Sequence, residues 1–212
     1  KVSLTDKEMP VRVTVLGWSP FIPGDPDNSS LPVGGLEYVL ENTSTKPQEM
    51  IFSYHARNFL SWGKGVDAIK VMPHGFVLSQ AGTEAEPHLQ GDFAIFTDED
   101  SPKINYCWFR GGWFDSLTMV WNAIESGLMP QSPAVEKGAP GASIFIPVTL
   151  MPGDKKTIRI YTAWYVPCST LRIGEEPEDW NDNNVAPATL ALERADQGNY
   201  KPWYSSRFAG ID

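Results

Sequence analysis

Trp18-Ser-Pro-Phe-Ile-Pro-Gly-Asp-Pro-Asp-Asn-Ser-Ser-Leu-Pro32 places Pro20, Pro23, Pro26 and Pro32 between two strand-like segments. Proline fixes φ and removes a backbone donor, which excludes ordinary helix and central strand here. Trp18, Phe21 and Ile22 give the stretch apolar anchors that a flexible linker lacks. A stiff, polar-tipped loop of this length carries function or holds another domain.

Outward from this loop the periodicity is mostly two. Val11, Val13 and Val15 alternate with Arg12 and Thr14 on its N-terminal side. Leu36, Tyr38 and Leu40 alternate with Glu37 and Glu41 on the other. Met50, Phe52 and Tyr54 follow the turn-rich Asn42-Thr-Ser-Thr-Lys-Pro47, so the last two segments read as a hairpin. Ile69–Met72 and Phe76–Ser79 flank Pro73-His-Gly75 as a second hairpin. Asp92–Thr97 and Ile104–Phe109 flank an acidic turn, Asp98-Glu-Asp-Ser-Pro102. Ile144, Ile146, Val148 and Leu150 alternate, and after Pro152-Gly153 so do Ile158, Ile160, Thr162 and Trp164, which predicts a further hairpin.

Helical spacing is scarce. Phe114, Leu117, Trp121 and Ile124 fit one short helix stopped by Gly127, and Pro187–Ala195 fits another. Glu175–Asn184 is acidic and turn-rich, a solvated loop. The expected fold is all-β: a large antiparallel β-sandwich with one or two short helices, residues 1–212 forming a single domain.

A formal net charge of −9 with no basic cluster excludes nucleic acid and anionic membranes as natural partners. No apolar run is long enough to span a bilayer. The chain begins at Lys1 rather than Met, so the lack of a visible signal peptide says nothing about its compartment. Cys107 and Cys168 lie sixty-one positions apart without a C-x-x-C spacing, which reads as two buried free thiols, with a disulfide if the protein is secreted.

The chemistry-bearing residues form no clear constellation. Acids are numerous, but spacing selects no pair for glycoside cleavage, and Asp98–Asp100 reads as a solvated turn. Asp25-Pro-Asp27-Asn28 alternates oxygen donors without the later Glu of a calcium loop, so Asx-turn bonding is expected and no metal. His55, His74 and His88 are dispersed, and no P-loop, dinucleotide fingerprint or other cofactor motif is present, so no cofactor is expected. Eight Trp make sugar stacking worth weighing. Trp121 and Trp164 fall on apolar stripes and read as core. Trp108-Phe-Arg-Gly-Gly-Trp113 has the composition of a loop rim, so Trp108 and Trp113 are the sugar-stacking candidates. The sequons Asn28-Ser-Ser30 and Asn42-Thr-Ser44 matter only in a eukaryotic secretory host.

Three segments carry a family likeness. Ser19-Pro-Phe-Ile-Pro23 with Asp27-Asn-Ser-Ser-Leu-Pro32 resembles the opening motif of the N-terminal domain of glycoside hydrolase family 116, the family of β-glucosidases and non-lysosomal glucosylceramidase. Leu150-Met-Pro-Gly-Asp-Lys-Lys-Thr-Ile-Arg-Ile160 with Ala163-Trp-Tyr-Val-Pro167, and Tyr200-Lys-Pro-Trp-Tyr-Ser-Ser-Arg-Phe208, resemble later segments of that domain in the same order. The resemblance implies a β-sandwich packed on a following catalytic (α/α)6 domain of the same polypeptide, with residues 200–212 leading into it. That missing domain would hold the nucleophile and acid/base of a retaining enzyme acting on a β-glucoside or glycolipid, so no catalytic residue is expected here. Phe21, Ile22, Trp203, Tyr204 and Phe208 are the candidates for interdomain contact, and Asp25, Asn28, Ser29 and Arg207 for the rim of the partner's active site.

Two other classes compete. A stand-alone carbohydrate-binding module would rest on the tryptophans. A self-sufficient hydrolase would need two carboxyls about 5 to 9.5 Å apart in one cleft.

Overall fold

A computed structural model describes residues 1–61, 66–170 and 200–211. Among them ten strands run in chain order: β1 (Val2–Leu4), β2 (Val11–Trp18), β3 (Val33–Asn42), β4 (Gln48–Arg57), β5 (Asp67–Met72), β6 (Gly75–Gln80), β7 (Gly91–Thr97), β8 (Lys103–Asn105), β9 (Gly141–Leu150) and β10 (Lys155–Tyr165). They form two antiparallel sheets, one ordered β1-β2-β3-β10-β7-β6-β5 and one ordered β4-β9-β8. Three helices accompany them: α1 (Pro26–Ser29), α2 (Ser116–Glu125) and α3 (Trp203–Arg207). The architecture is the expected all-β sandwich. The helix predicted at Phe114–Ile124 is α2, while the Pro187–Ala195 helix and the Glu175–Asn184 loop lie outside the described residues.

The period-two pattern builds the core from both sides. Leu40, Phe76, Leu78, Ile95, Ile158 and Ile160 from the larger sheet are buried in one cluster with Ile144, Ile146, Val148 and Leu150 of β9. Burial of each such side chain is worth roughly 1.5–3 kcal/mol, so this interlocked stripe dominates cohesion.

The Ile69–Met72 and Phe76–Ser79 hairpin forms as predicted, as β5 and β6. Two other predicted hairpins do not. β9 and β10 lie in opposite sheets, and so do β3 and β4. Likewise β7 and β8 belong to different sheets, and the strand expected over Ile104–Phe109 ends at Asn105. The reason is physical. Facing sheets both present alternate residues to a shared core, so periodicity alone does not distinguish a hairpin from a crossover between layers. Turn chemistry does. Asp154 N–H donates to Met151 O over 3.0 Å, with Pro152 next and Gly153 at φ 81°. Pro followed by a positive φ is a type II turn, whose twist splays strands apart. It sends β10 to the other layer.

The two crossovers meet at Asn42, the last residue of β3, which is 1% exposed. Its Nδ2 donates to Lys46 O (2.8 Å) and Leu150 O (3.0 Å). Its Oδ1 accepts from Ser44 N (2.9 Å) and Ser44 Oγ (2.8 Å). Its backbone N–H donates to Asp154 O, and its carbonyl accepts from Gly153 N–H. All the side chain's hydrogen-bonding capacity is spent. Buried and bonded in this way, Asn42 offers no glycan acceptor in the folded domain. Replacing it with Ala would remove four side-chain hydrogen bonds, the one to Leu150 O buried, which costs on the order of 3 kcal/mol. Asn42→Ala is therefore expected to lower Tm by roughly 6–12 °C in a calorimetric scan, and a loss under about 2 °C would contradict this role.

Candidate functional site

At the end of the sandwich opposite Asn42, β2 and β3 are joined by the proline-rich stretch. Pro26 occupies the first turn of α1, where a missing N–H costs nothing, so a single helical turn fits inside the loop. Asp25 caps this turn: its carboxylate accepts from Asn28 N (3.0 Å) and Asn28 Nδ2 (2.5 Å). Those bonds, the backbone one foremost, with help from the Arg207 charge, hold the Asp25 carboxyl below the usual range. Ser29 closes the other side, with Ile22 N donating to Ser29 Oγ (2.9 Å) and Ser29 Oγ donating to Ile22 O (3.1 Å). Gly24 adopts φ 83°, and Asp25 N–H reaches Ile22 O at 3.0 Å. Trp164 N–H donates to Pro32 O at 2.8 Å and fixes the loop's exit to β10. The loop is rigid from within, and at its tip Phe21 is 80% exposed beside half-exposed Ile22.

The C-terminal segment returns to the same end. Ser169 and Tyr200 exchange backbone hydrogen bonds of 2.8 and 2.9 Å. Val166 N–H donates to Tyr204 Oη at 3.1 Å, and the Tyr204 ring meets Tyr165 edge-on. Tyr204 thus anchors α3 to its own domain, and burial pushes its phenol pKa up. The Arg207 guanidinium lies 5.1 Å from the centre of the Trp203 ring and 4.0 Å from the Asp27 carboxylate. Asp25, Asn28, Ser29 and Arg207, singled out from sequence, are brought together, and the first three spend their side chains on shaping the loop. Phe208 remains exposed beside them.

The tryptophans sort differently from expectation. Trp108 is buried at 4% exposure, its indole against Gly141 and its Nε1 donating to Ser143 Oγ (2.8 Å), so it presents no face to a sugar. Trp113 is 92% exposed. Trp121 and Trp164, read as core, are exposed at 58% and 40%. α2 is apolar on two faces, and Val120 rather than Trp121 takes the buried one. Trp164 continues the inward stripe of Ile158 and Ile160, but three strands cannot cover seven. It packs instead on Phe59 and Phe93, with ring centres 5.6 and 5.4 Å away. Sequence reasoning missed Phe59 and Phe93, because neither stands in a motif; their clustering is a product of the strand register.

Several acids are engaged in ion pairs and caps. Asp98 accepts from Arg159 (3.2 Å) and the Tyr161 hydroxyl (3.2 Å), and Glu99 pairs with Lys156 at 2.8 Å. Both cysteines are free, Cys107 buried and Cys168 partly so. Among the described residues no group of three His, Cys, Asp or Glu could hold a metal ion, and no helix is long and apolar enough to cross a membrane. One serine–histidine arrangement exists: His55 Nδ1 lies 2.8 Å from Ser143 Oγ and Nε2 lies 2.9 Å from Ser53 Oγ. The Trp108 Nε1–H can only donate, so Ser143 Oγ accepts from it, and the His55 ring bridges Ser143 and Ser53.

The fold and this end of it define a β-sandwich with a rigid apolar prong. A family model described as beta-glucosidase 2, glycosyl-hydrolase family 116 N-term matches residues 1–211. The chain belongs to that family, as the N-terminal domain of a glycosidase. No curated protein matches the chain.

Burial holds His55 below its ordinary pKa of 6.5. The unfolded chain gains a proton near that pH while the folded one does not, so this contribution to stability is complete above pH 6.5 and declines as pH falls below it. Urea midpoints at pH 7.5 and 5 are expected to differ less in His55→Asn than in the wild type. Equal differences would contradict a neutral, half-buried His55.

Proposed function

We propose that residues 1–212 are the non-catalytic N-terminal sandwich of a retaining β-glucosidase or glucosylceramidase-like enzyme, and that residues 200–212 lead into its catalytic (α/α)6 domain. The substrate of the whole polypeptide would be a β-glucoside or glycolipid, which places it in carbohydrate metabolism. The family match over residues 1–211 supports the class. The observation that carries the supporting role is Phe21, four-fifths exposed on a loop stapled by Asp25, Asn28 and Ser29. An exposed aromatic on a preorganised loop is the usual form of an anchor, since little order remains to be imposed when it docks. Ile22, Trp203 and Phe208 extend the contact. Asp25, Asn28, Ser29 and Arg207 act by fixing this loop at the rim of the partner's active site.

The experiment compares this chain with a longer polypeptide that contains it, on an aryl β-glucoside. The long form is expected to release glucose and the chain alone to release none. Phe21→Ser in the long form is expected to lower kcat/KM roughly ten- to a hundredfold by misplacing the rim. Turnover by the chain alone, lost on neutralising one of its own acids, would overturn the reading. Sugar affinity of the chain alone, abolished by Trp113→Ala, would favour a carbohydrate-binding module instead.

A further inference from the structure

α2 is a locally specified helix with an uncovered apolar face. Asp115 caps its start, accepting from Thr118 N at 2.9 Å and from Thr118 Oγ1 at 2.5 Å. Its end is a Schellman motif: Leu128 N–H donates to Ala123 O (2.9 Å), Gly127 N–H to Ile124 O (3.0 Å), and Gly127 adopts φ 64°. Val120 is buried against the domain. Beside it around the helix, Phe114, Leu117 and Trp121 recur at i, i+3 and i+7, with Trp113 and Leu128 at the two ends, and all five are exposed. Thr118, Asn122 and Glu125 supply the polar part of α2, and a run of five large apolar groups left in the open beside them marks a surface that another body covers.

We infer that the cover is the catalytic domain of the same polypeptide, gripping α2 as a second contact separate from the Phe21 prong. The inference rests on the function proposed above. Three observations select this occupant. The family places the chain as an N-terminal domain, so a tethered domain follows it, and tethering makes even a modest apolar contact effective. The C-terminal segment docks at Val166–Ser169, just past Trp164, beside the Phe59–Phe93–Trp164 cluster, in which Phe59 and Trp164 are exposed. Phe59 and Ser116, the first residue of α2, line one cleft of about 580 Å³, so the aromatic cluster runs on to the helix. A groove of about 510 Å³ between the C-terminal end of α2 and the outer face of β4 and β9 gives the partner's side chains a further seat. A lipid surface fits poorly: no Lys or Arg lies between Arg110 and Lys137, and interfacial helices use cations on their polar face.

The test places single cysteines at Leu117, Phe21 and the exposed Lys7 in the long polypeptide and follows maleimide labelling by peptide mass, so that Cys107 and Cys168 are read separately. Leu117→Cys is expected to label about a hundredfold more slowly than Lys7→Cys, at every protein concentration. Labelling of Leu117→Cys as fast as Lys7→Cys, with Phe21→Cys protected and glucosidase turnover present, would overturn the second contact and leave the proposed function standing. Protection that disappears on dilution would assign the face to a second copy and overturn it as well. A long polypeptide without glucosidase turnover would instead sink the functional reading beneath it.

Discussion

The fold hangs on a single buried amide. Two chain crossings join the layers at one end, from β3 to β4 and from β9 to β10, and both are tied to Asn42. Were either turn to relax toward a hairpin, β4 or β10 would move to the wrong sheet. The inward stripes of Ile144–Leu150 and Ile158–Ile160 would then lose each other as partners. Hydrophobic burial supplies most of the energy, but it is indifferent to which strand lies in which layer. A buried group with four directional bonds is not. Asn42 therefore acts less as a source of stability than as a selector among topologies with similar burial.

The other end of the sandwich is built on a different rule. There the chain gains stiffness from contacts within a few residues: Asp25 to Asn28, Ser29 to Ile22, Asp115 to Thr118, and Gly24 at positive φ. Such contacts hold a shape without consuming apolar surface, which leaves Phe21, Phe208, Leu117 and Trp121 outward. Exposed apolar groups on floppy loops would collapse onto the nearest core. Held on capped turns they persist as a surface for another body. In the proposed function, the division of labour between a locking end and a presenting end is what suits this domain to support a neighbour.

Much of this was legible in the chain. Alternation located the strands, the prolines located the ordered loop, and Gly127 marked the end of α2. The likeness of Ser19–Pro23, Leu150–Ile160 and Tyr200–Phe208 to family 116 pointed to the family that the whole-chain match then showed. What failed was assignment to layers. The decisive signal was present in Met151-Pro-Gly-Asp154, since Pro then Gly specifies a turn that splays strands, but alternation on both sides disguised it. Trp121 and Trp164 misled because an apolar stripe marks a face to be covered without saying whether this chain covers it. Trp108 misled in the opposite sense: its Gly-rich surroundings suggested a rim, yet Gly141 makes room for the indole to lie inside. The Phe59–Phe93–Trp164 cluster could not be read at all, since it depends on register between distant strands.

The central claim is that this sandwich serves a catalytic domain by binding it. The most direct measurement is titration of the separately produced chain into the separately produced downstream polypeptide, with calorimetry and glucoside turnover followed together. The account predicts a one-to-one complex whose turnover rises as the complex forms. A downstream polypeptide that is fully active alone and releases no heat on titration would contradict it.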